Sequence, residues 1–203
     1  MRSGKGSPDG TGRQAVLDAA VENMTERGYH GTSIRDVART AGLTVASIYH
    51  HFASKQEILQ VLMAQALDDA YRMTGDAAQH AGPDPRDQLA AVVRAWVLFH
   101  TTRQRDAVVG ATEIRSLDEA GLRATVDRRD RQEGLFREIV DRGVESGVFA
   151  TDKGRDATRA IINMGQAICT WFNPAGPLTP TELADRYSEL ALVMVEADRR
   201  PGS

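Results

Sequence analysis

The sequence predicts an all-α fold, and three observations carry that prediction. Apolar residues recur at helical spacing along almost the whole chain, and strict apolar–polar alternation is nowhere sustained. Ser and Thr starts and Gly or Pro stops punctuate the periodic stretches. The 203 residues suffice for one large domain or two small ones with a buried core.

Taken in order, residues 1–12 (MRSGKGSPDGTG) read as a flexible tail: they carry positive charge but no apolar stretch of the kind a secretory signal needs. A first helix spans about 13–27, with Val16, Ala20, Val21 and Met24 on one face and Gly28 as its stop. A second starts at Thr32-Ser33, where Ser33 and Asp36 have capping-box spacing, and ends near Gly42. A short third helix covers about 44–50. A fourth begins at Ser54, with Glu57 as its capping partner, and runs to about residue 80. AGPDP (81–85) is the clearest internal break. Beyond it we expect helices at about 86–101, 106–115, 118–146, 155–172 and 181–198. The domain plan is a tail (1–12), a three-helix head (13–57) and a helical C-terminal domain (58–203).

The net charge of −3 argues against a nonspecific nucleic-acid coat but leaves room for a few phosphate contacts from one local surface. No apolar run approaches a membrane span. Cys169 is the only cysteine, which rules out an internal disulfide and fits a reducing cytoplasm.

The stretch LTVASIYHHFASK (43–55) is the most informative. On a wheel, Val45, Ile48 and Phe52 share one face while Ala46 and His50, flanked by Ser47 and Tyr49, face the other way. In the preceding helix Ile34, Val37, Ala38 and Ala41 form the inner stripe and Arg35 and Arg39 face out. Gly42 supplies the tight turn between them. Two short helices, a Gly-containing turn and a small Ala38 at the crossing make a helix-turn-helix whose outer edge is small enough to enter a major groove. His51 leans inward, as a packing residue. A zinc site at His50-His51 is not expected, because adjacent helical residues diverge by about 100°. No metal and no cofactor are expected.

The segment GTSIRDVARTAGLTVASIYHHFASKQEIL (31–59) resembles the DNA-binding signature of the TetR family of bacterial repressors. The resemblance implies a cytoplasmic homodimer on a palindromic double-stranded DNA operator, released by a small-molecule effector in the C-terminal domain. By matching position, Thr32 and Ser33 would bind phosphate at a helix N-terminus, and Thr44 would cap the reading helix and touch the backbone. Ala46, Ser47, Tyr49 and His50 would form the groove-facing surface, with Tyr49 on a phosphate, and Lys55 would clamp another. For Thr32, Thr44 and Ser54 a capping role alone accounts for the same residues.

In the C-terminal half most apolar positions read as core. Candidate ligand-binding residues are Trp96, Phe99 and His100, then Glu113 and Arg115 in ATEIRSL, then Phe136, Met164, Ile168 and Trp171. E-x-R-x-L at 113–117 and the TWFNPAGPLTP stretch resemble a TetR subgroup that governs fatty-acid and sterol catabolism, implying a hydrophobic effector with an acyl-CoA as one candidate. Thr170 stands where the sterol-type members carry arginine; Arg115, Arg128 or Arg131 would have to replace that cation, although the latter two read first as part of a solvated charged face, DRRDRQE. The last helix offers Leu183, Tyr187, Leu190 and Met194 as a dimer face by the same resemblance, although a plain core gives the same periodicity.

Catalytic signatures are missing from the sequence: there is no G-x-S-x-G, H-E-x-x-H, C-x-x-C or Rossmann glycine pattern. An enzyme is therefore not expected. The competing reading is a helical ligand-binding or interaction protein that does not bind an operator.

Overall fold

The computed structural model describes residues 8–197. Nine α-helices follow one another in those residues: α1 (Pro8–Gly31), α2 (Ile34–Ala41), α3 (Val45–His51), α4 (Lys55–His80), α5 (Pro85–Thr102), α6 (Gln104–Thr112), α7 (Glu119–Glu145), α8 (Gly154–Trp171) and α9 (Pro180–Met194). A 3₁₀ turn, Glu113–Ser116, joins α6 to α7. The all-α expectation holds, and the capping signals account for most helix starts. Ser33 and Asp36 form both halves of their box, Thr44 accepts from the Ser47 N–H, and Ser54 accepts from the Glu57 N–H.

Three boundaries differ from expectation. α1 starts at Pro8, so residues 8–12 are helix rather than tail; residues 1–7 of the expected tail lie outside the described residues. The added turn packs on α3, where a Cβ at Gly12 would lie 2.8 Å from His51 Nε2. Gly28, with φ 70°, breaks α1 near its end as expected. The second difference is at the C-terminus. α9 stops at Met194, Glu196 takes φ 52°, and Ala197 pairs with Phe149 in a single antiparallel bridge.

The third is the domain boundary. Two hydrophobic clusters form. The head cluster unites Val16, Leu17, Ala20 and Met24 of α1 with Val37, Ala38, Ile48 and Phe52, and it continues through Ile58, Leu59, Leu62 and Met63 of α4 to Val109 of α6. The body cluster holds Trp96, Phe99, Phe136, Ile139, Val140, Phe149, Ile161, Ile168 and Leu183, among others. The head core thus runs past residue 57 to Met63, because a three-helix unit this small needs the first turns of α4 to close its apolar face. α4 contributes Ile58 to Met63 to the head and Ala66, Ala70 and Ala78 to the body, so one continuous rod belongs to both.

A second link joins the clusters beside that rod. Ile114 and Leu117 of the 3₁₀ segment pack against the head cluster. Gln60 Nε2 donates to Asp118 Oδ1 at 2.8 Å, and Ser116 Oγ lies 3.4 Å from His30 Nε2.

Candidate nucleic-acid interface and ligand cavity

α2 and α3 meet at Gly42, whose φ of 67° is left-handed and whose N–H reaches back to the Ala38 and Arg39 carbonyls. Leu43 N–H also donates to Ala38, at 2.9 Å. A side chain is disfavoured at that φ, so glycine is what permits the tight turn. α3 then anchors through Ile48 and the following Phe52, both fully buried, and Arg13 lies over the Phe52 ring at 4.8 Å. Ala46, Tyr49 and His50 are exposed, Tyr49 by 52%, and Ser47 is half-buried with its hydroxyl 2.8 Å from that of Thr44. The outward edge expected from the wheel is present.

Val45 is not part of the anchor: it is exposed by 37%. It opens a helix of seven residues whose N-terminal end projects away from the core, so it joins Ala46 on the outer edge. His51 is half-buried and meets α1, as expected for a packing residue.

Three residues expected to hold phosphate are engaged elsewhere. Thr32 is 1% exposed, its hydroxyl donates to the Gly28 carbonyl at 2.9 Å, and its N–H donates to Tyr29. Its polar groups close the end of α1 instead of facing solvent. Ser33 is exposed, but its hydroxyl and N–H both donate to Asp36 Oδ2, at 2.5 and 3.1 Å. Those bonds, with Arg39 at 2.6 Å, hold the Asp36 carboxyl below the usual carboxylate range, at about 2. The capping box therefore fills the helix end with a carboxylate of its own. Lys55 Nζ donates to the carbonyls of Tyr29 and Thr32 at 2.8 and 2.7 Å and sits 4.1 Å over the Tyr29 ring. Burial lowers its pKa. It fastens the end of α1 to the start of α4.

In the body, α4 to α8 surround a cavity of about 200 Å³. Trp96, Phe99 and His100 line it, as expected from the sequence. Trp96 Nε1 donates to the Ile162 carbonyl at 3.1 Å, and its indole lies so close to α8 that a Cβ at Gly165 would be 2.3 Å from Trp96 Cδ1. Burial holds the His100 pKa down at about 4, and His100 Nδ1 lies 2.8 Å from the Trp96 carbonyl. That carbonyl can only accept, so Nδ1 carries the proton and the neutral ring keeps Nε2 as an acceptor.

A head with an exposed short helix, joined by a continuous rod to a body with a cavity, is an arrangement that known proteins share. Residues 16–62 match the family model for bacterial regulatory proteins of the tetR family, and residues 82–195 match the tetracyclin repressor-like C-terminal domain. The chain belongs to the TetR family. It is a ligand-responsive, DNA-binding transcriptional regulator. Among curated TetR-type proteins it is 28% identical, over 184 residues, to the transcriptional repressor KstR2 of Mycobacterium tuberculosis, with 90% of each chain covered. The crystal structure of the TetR-family regulator PfmR from Thermus thermophilus superimposes with a TM-score of 0.82 at 33% identity, covering 91% of this chain and 99% of that one. The structure of M. tuberculosis KstR2, described as a ketosteroid transcriptional regulator, gives a TM-score of 0.82 at 27% identity, covering 93% and 95%.

The remaining residues expected to bind ligand in this TetR-family chain do not line the cavity. Glu113 and Arg115 belong to the 3₁₀ turn at the head–body joint; Arg115 is exposed, and Glu113 bonds Ser116 Oγ. Phe136 and Ile168 are core residues with no exposed surface, and Phe136 packs edge-on against Trp96 from behind. Met164 is half-buried against the same core, and Trp171 is exposed at the end of α8. Of the arginines expected to replace the missing cation, Arg128 and Arg131 both pair with Asp68. Arg129, between them, lines the cavity instead. On the dimer face Leu183 is 3% exposed and belongs to the core, Tyr187 and Met194 are half-buried, and Leu190 and Val193 are exposed.

Proposed function

We propose that this TetR-family regulator represses transcription as a homodimer, setting two α3 helices into successive major grooves of a palindromic operator. We propose also that a small hydrophobic effector in the α4–α8 cavity releases it. The observation that carries the DNA reading is the outer edge of α3. Val45, Ala46, Tyr49 and His50 are exposed side by side on a helix that Ile48 and Phe52 fix to the head. Small side chains at its N-terminal end allow close approach to base edges. In this reading Tyr49 meets a phosphate and Thr44 and Ser47 touch the backbone with their paired hydroxyls. Lys55 and Thr32 act by holding the head's shape.

The dimer reading is supported by apolar side chains left exposed on α8 and α9: Trp171, Leu190 and Val193. Half-site spacing of about 34–36 Å requires two heads at a fixed separation. Release then needs an effector that binds better to the dimer whose heads are wrongly spaced. α4 and the 3₁₀ joint are the elements that carry that change, since both touch head and body. Repression without catalysis, in the cytoplasm, completes the reading; no helix among the described residues is long and apolar enough to cross a membrane.

The deciding experiment is a gel shift on the DNA upstream of the chain's own gene, at physiological salt, with the native chain and Tyr49→Ala. A discrete complex that the substitution abolishes supports operator reading. Binding that is absent favours the helical interaction protein instead, and binding unaltered by Tyr49→Ala overturns the placing of Tyr49 on the reading edge.

A further inference from the structure

The cavity's size and its charged wall together restrict what fills it. At about 200 Å³, it is only somewhat larger than the roughly 150 Å³ apolar cavity that holds one benzene ring. Its apolar wall is Ala66, Leu67, Ala70, Trp96, Phe99, Ala107 and Ile162, in which two aromatic rings face small and aliphatic side chains and suit a flat or compact body. A fused-ring skeleton or a long acyl chain would have to extend out through the cavity's open side.

Arg129 is the cation in the wall. Its Nη2 donates to the Gly110 carbonyl at 3.0 Å, and among the described residues no carboxylate lies within ion-pair distance of it. Its flanking arginines, by contrast, both reach Asp68. Burial lowers the Arg129 pKa, so the charge sits where an anion would stabilise it. The acidic groups along the same wall are Asp106, Asp130 and Glu133. Asp106 is held by Arg103 at 2.8 Å and Glu133 by Arg159 at 3.6 Å. One guanidinium beside three carboxylates suits a ligand with a single negative charge and opposes a polyphosphate. His100 adds the second polar requirement. Its ring is neutral, its Nδ1–H is spent on Trp96, and Nε2 has no protein partner among the described residues. A buried acceptor beside the Trp96 and Phe99 rings calls for a donor on the ligand.

We propose that the effector is a compact hydroxylated carboxylic acid, with a one-ring-sized body against Trp96 and Phe99, its carboxylate on Arg129 and its hydroxyl donating to His100 Nε2. The proposal rests on the cavity reading given under the proposed function, and it names the chemistry of that same site.

Isothermal titration of the full chain with 4-hydroxyphenylacetate, its methyl ester, phenylacetate, p-cresol and isovaleryl-CoA tests it. The hydroxy acid should bind, with the ester at least about tenfold weaker and phenylacetate weaker by about threefold to tenfold. Arg129→Met should remove the preference of acid over ester while leaving p-cresol binding unchanged, and Arg129→Lys should restore part of it. A merely structural role for Arg129 would weaken acid and cresol alike, and that outcome overturns the proposal. So would an ester that binds as well as the acid, isovaleryl-CoA binding tighter than every acid, or no binding of the hydroxy acid at millimolar concentration. Operator release is read separately by gel shift. If p-cresol releases DNA and the acid does not bind, the cavity reading survives and the acid assignment fails. If the acid binds and nothing releases DNA, the chemistry assigned to the cavity stands, while the release reading and the acid's role as effector fail.

Discussion

Lys55 and Tyr49 lie six residues apart, and they test different properties of the head. The Lys55 ammonium bonds two carbonyls at the end of α1, where the chain has broken from helix at Gly28. Hydrogen bonds from a charged group contribute more than neutral ones, so Lys55→Met should lower stability by about 1–3 kcal/mol in urea unfolding, with operator affinity lost as a consequence. An unchanged unfolding midpoint with lost DNA binding would instead return Lys55 to a direct phosphate role. Tyr49 makes the opposite prediction. Being half exposed and outside the core, its removal should leave stability within about 0.5 kcal/mol while operator binding disappears. His100 gives a pH dependence. Its pKa in the fold is about 4, against an unfolded value near 6.5, so the unfolded chain binds the extra proton between those values. Stability that His100 contributes is present above about pH 6.5 and is lost as pH falls toward 4, by on the order of 3 kcal/mol. The difference between native and His100→Gln chains, unfolded in urea at about pH 7 and about pH 5, should narrow at the lower pH. A difference independent of pH would mean that the ring is not held neutral.

Among the elements, the α2–turn–α3 unit depends on one backbone angle. Gly42→Val would force a β-branched residue to φ 67°, and an L-residue held left-handed costs roughly 1–2 kcal/mol. A corresponding fall in the thermal midpoint, with α-helical content retained, is the expected result; no fall would show that the turn has an alternative geometry. Features of this kind are legible in the sequence because they are local. Ser33 with Asp36, Thr44 before a short amphipathic run, Ser54 with Glu57, and glycines at 28 and 42 specify caps and breaks without reference to the rest of the chain. What packing decides is not legible there. In DRRDRQE three arginines within four residues look like one solvated face, yet α7 turns Arg129 toward the cavity and leaves its neighbours on Asp68. Glu113 and Arg115 look like pocket residues because they alternate with apolar ones. The tightening of α6 into a 3₁₀ turn carries them to the head instead. Thr32 and Lys55 hold places in the motif that suggest phosphate contacts. Only the fold reveals that the Thr32 hydroxyl and the Lys55 ammonium are spent on backbone carbonyls.

At the scale of the whole molecule, head and body share α4 and meet again at the 3₁₀ joint, so a shift of α4 at the cavity is not free to leave the head unmoved. That geometry matters to DNA only if a second head is fixed relative to the first. The exposed apolar side chains that best suit such a contact are Val193, 71% exposed, with Leu190 and Trp171. Placing two carboxylates among them, as Leu190→Asp with Val193→Asp, would desolvate paired like charges across a two-fold contact while touching nothing in either core. The double variant should therefore keep its thermal midpoint in dilute solution only if the monomer is stable alone, and in either case light scattering should report monomer mass. Operator affinity should fall steeply. The more telling measurement is the salt dependence of what remains, because log K falls with log salt in proportion to the phosphates neutralised. A monomer on a half-site engages about half of them, so the slope should drop to about half that of the native chain. If mass and slope both stay unchanged, α8 and α9 are plain surface and the contact that spaces the two heads lies elsewhere.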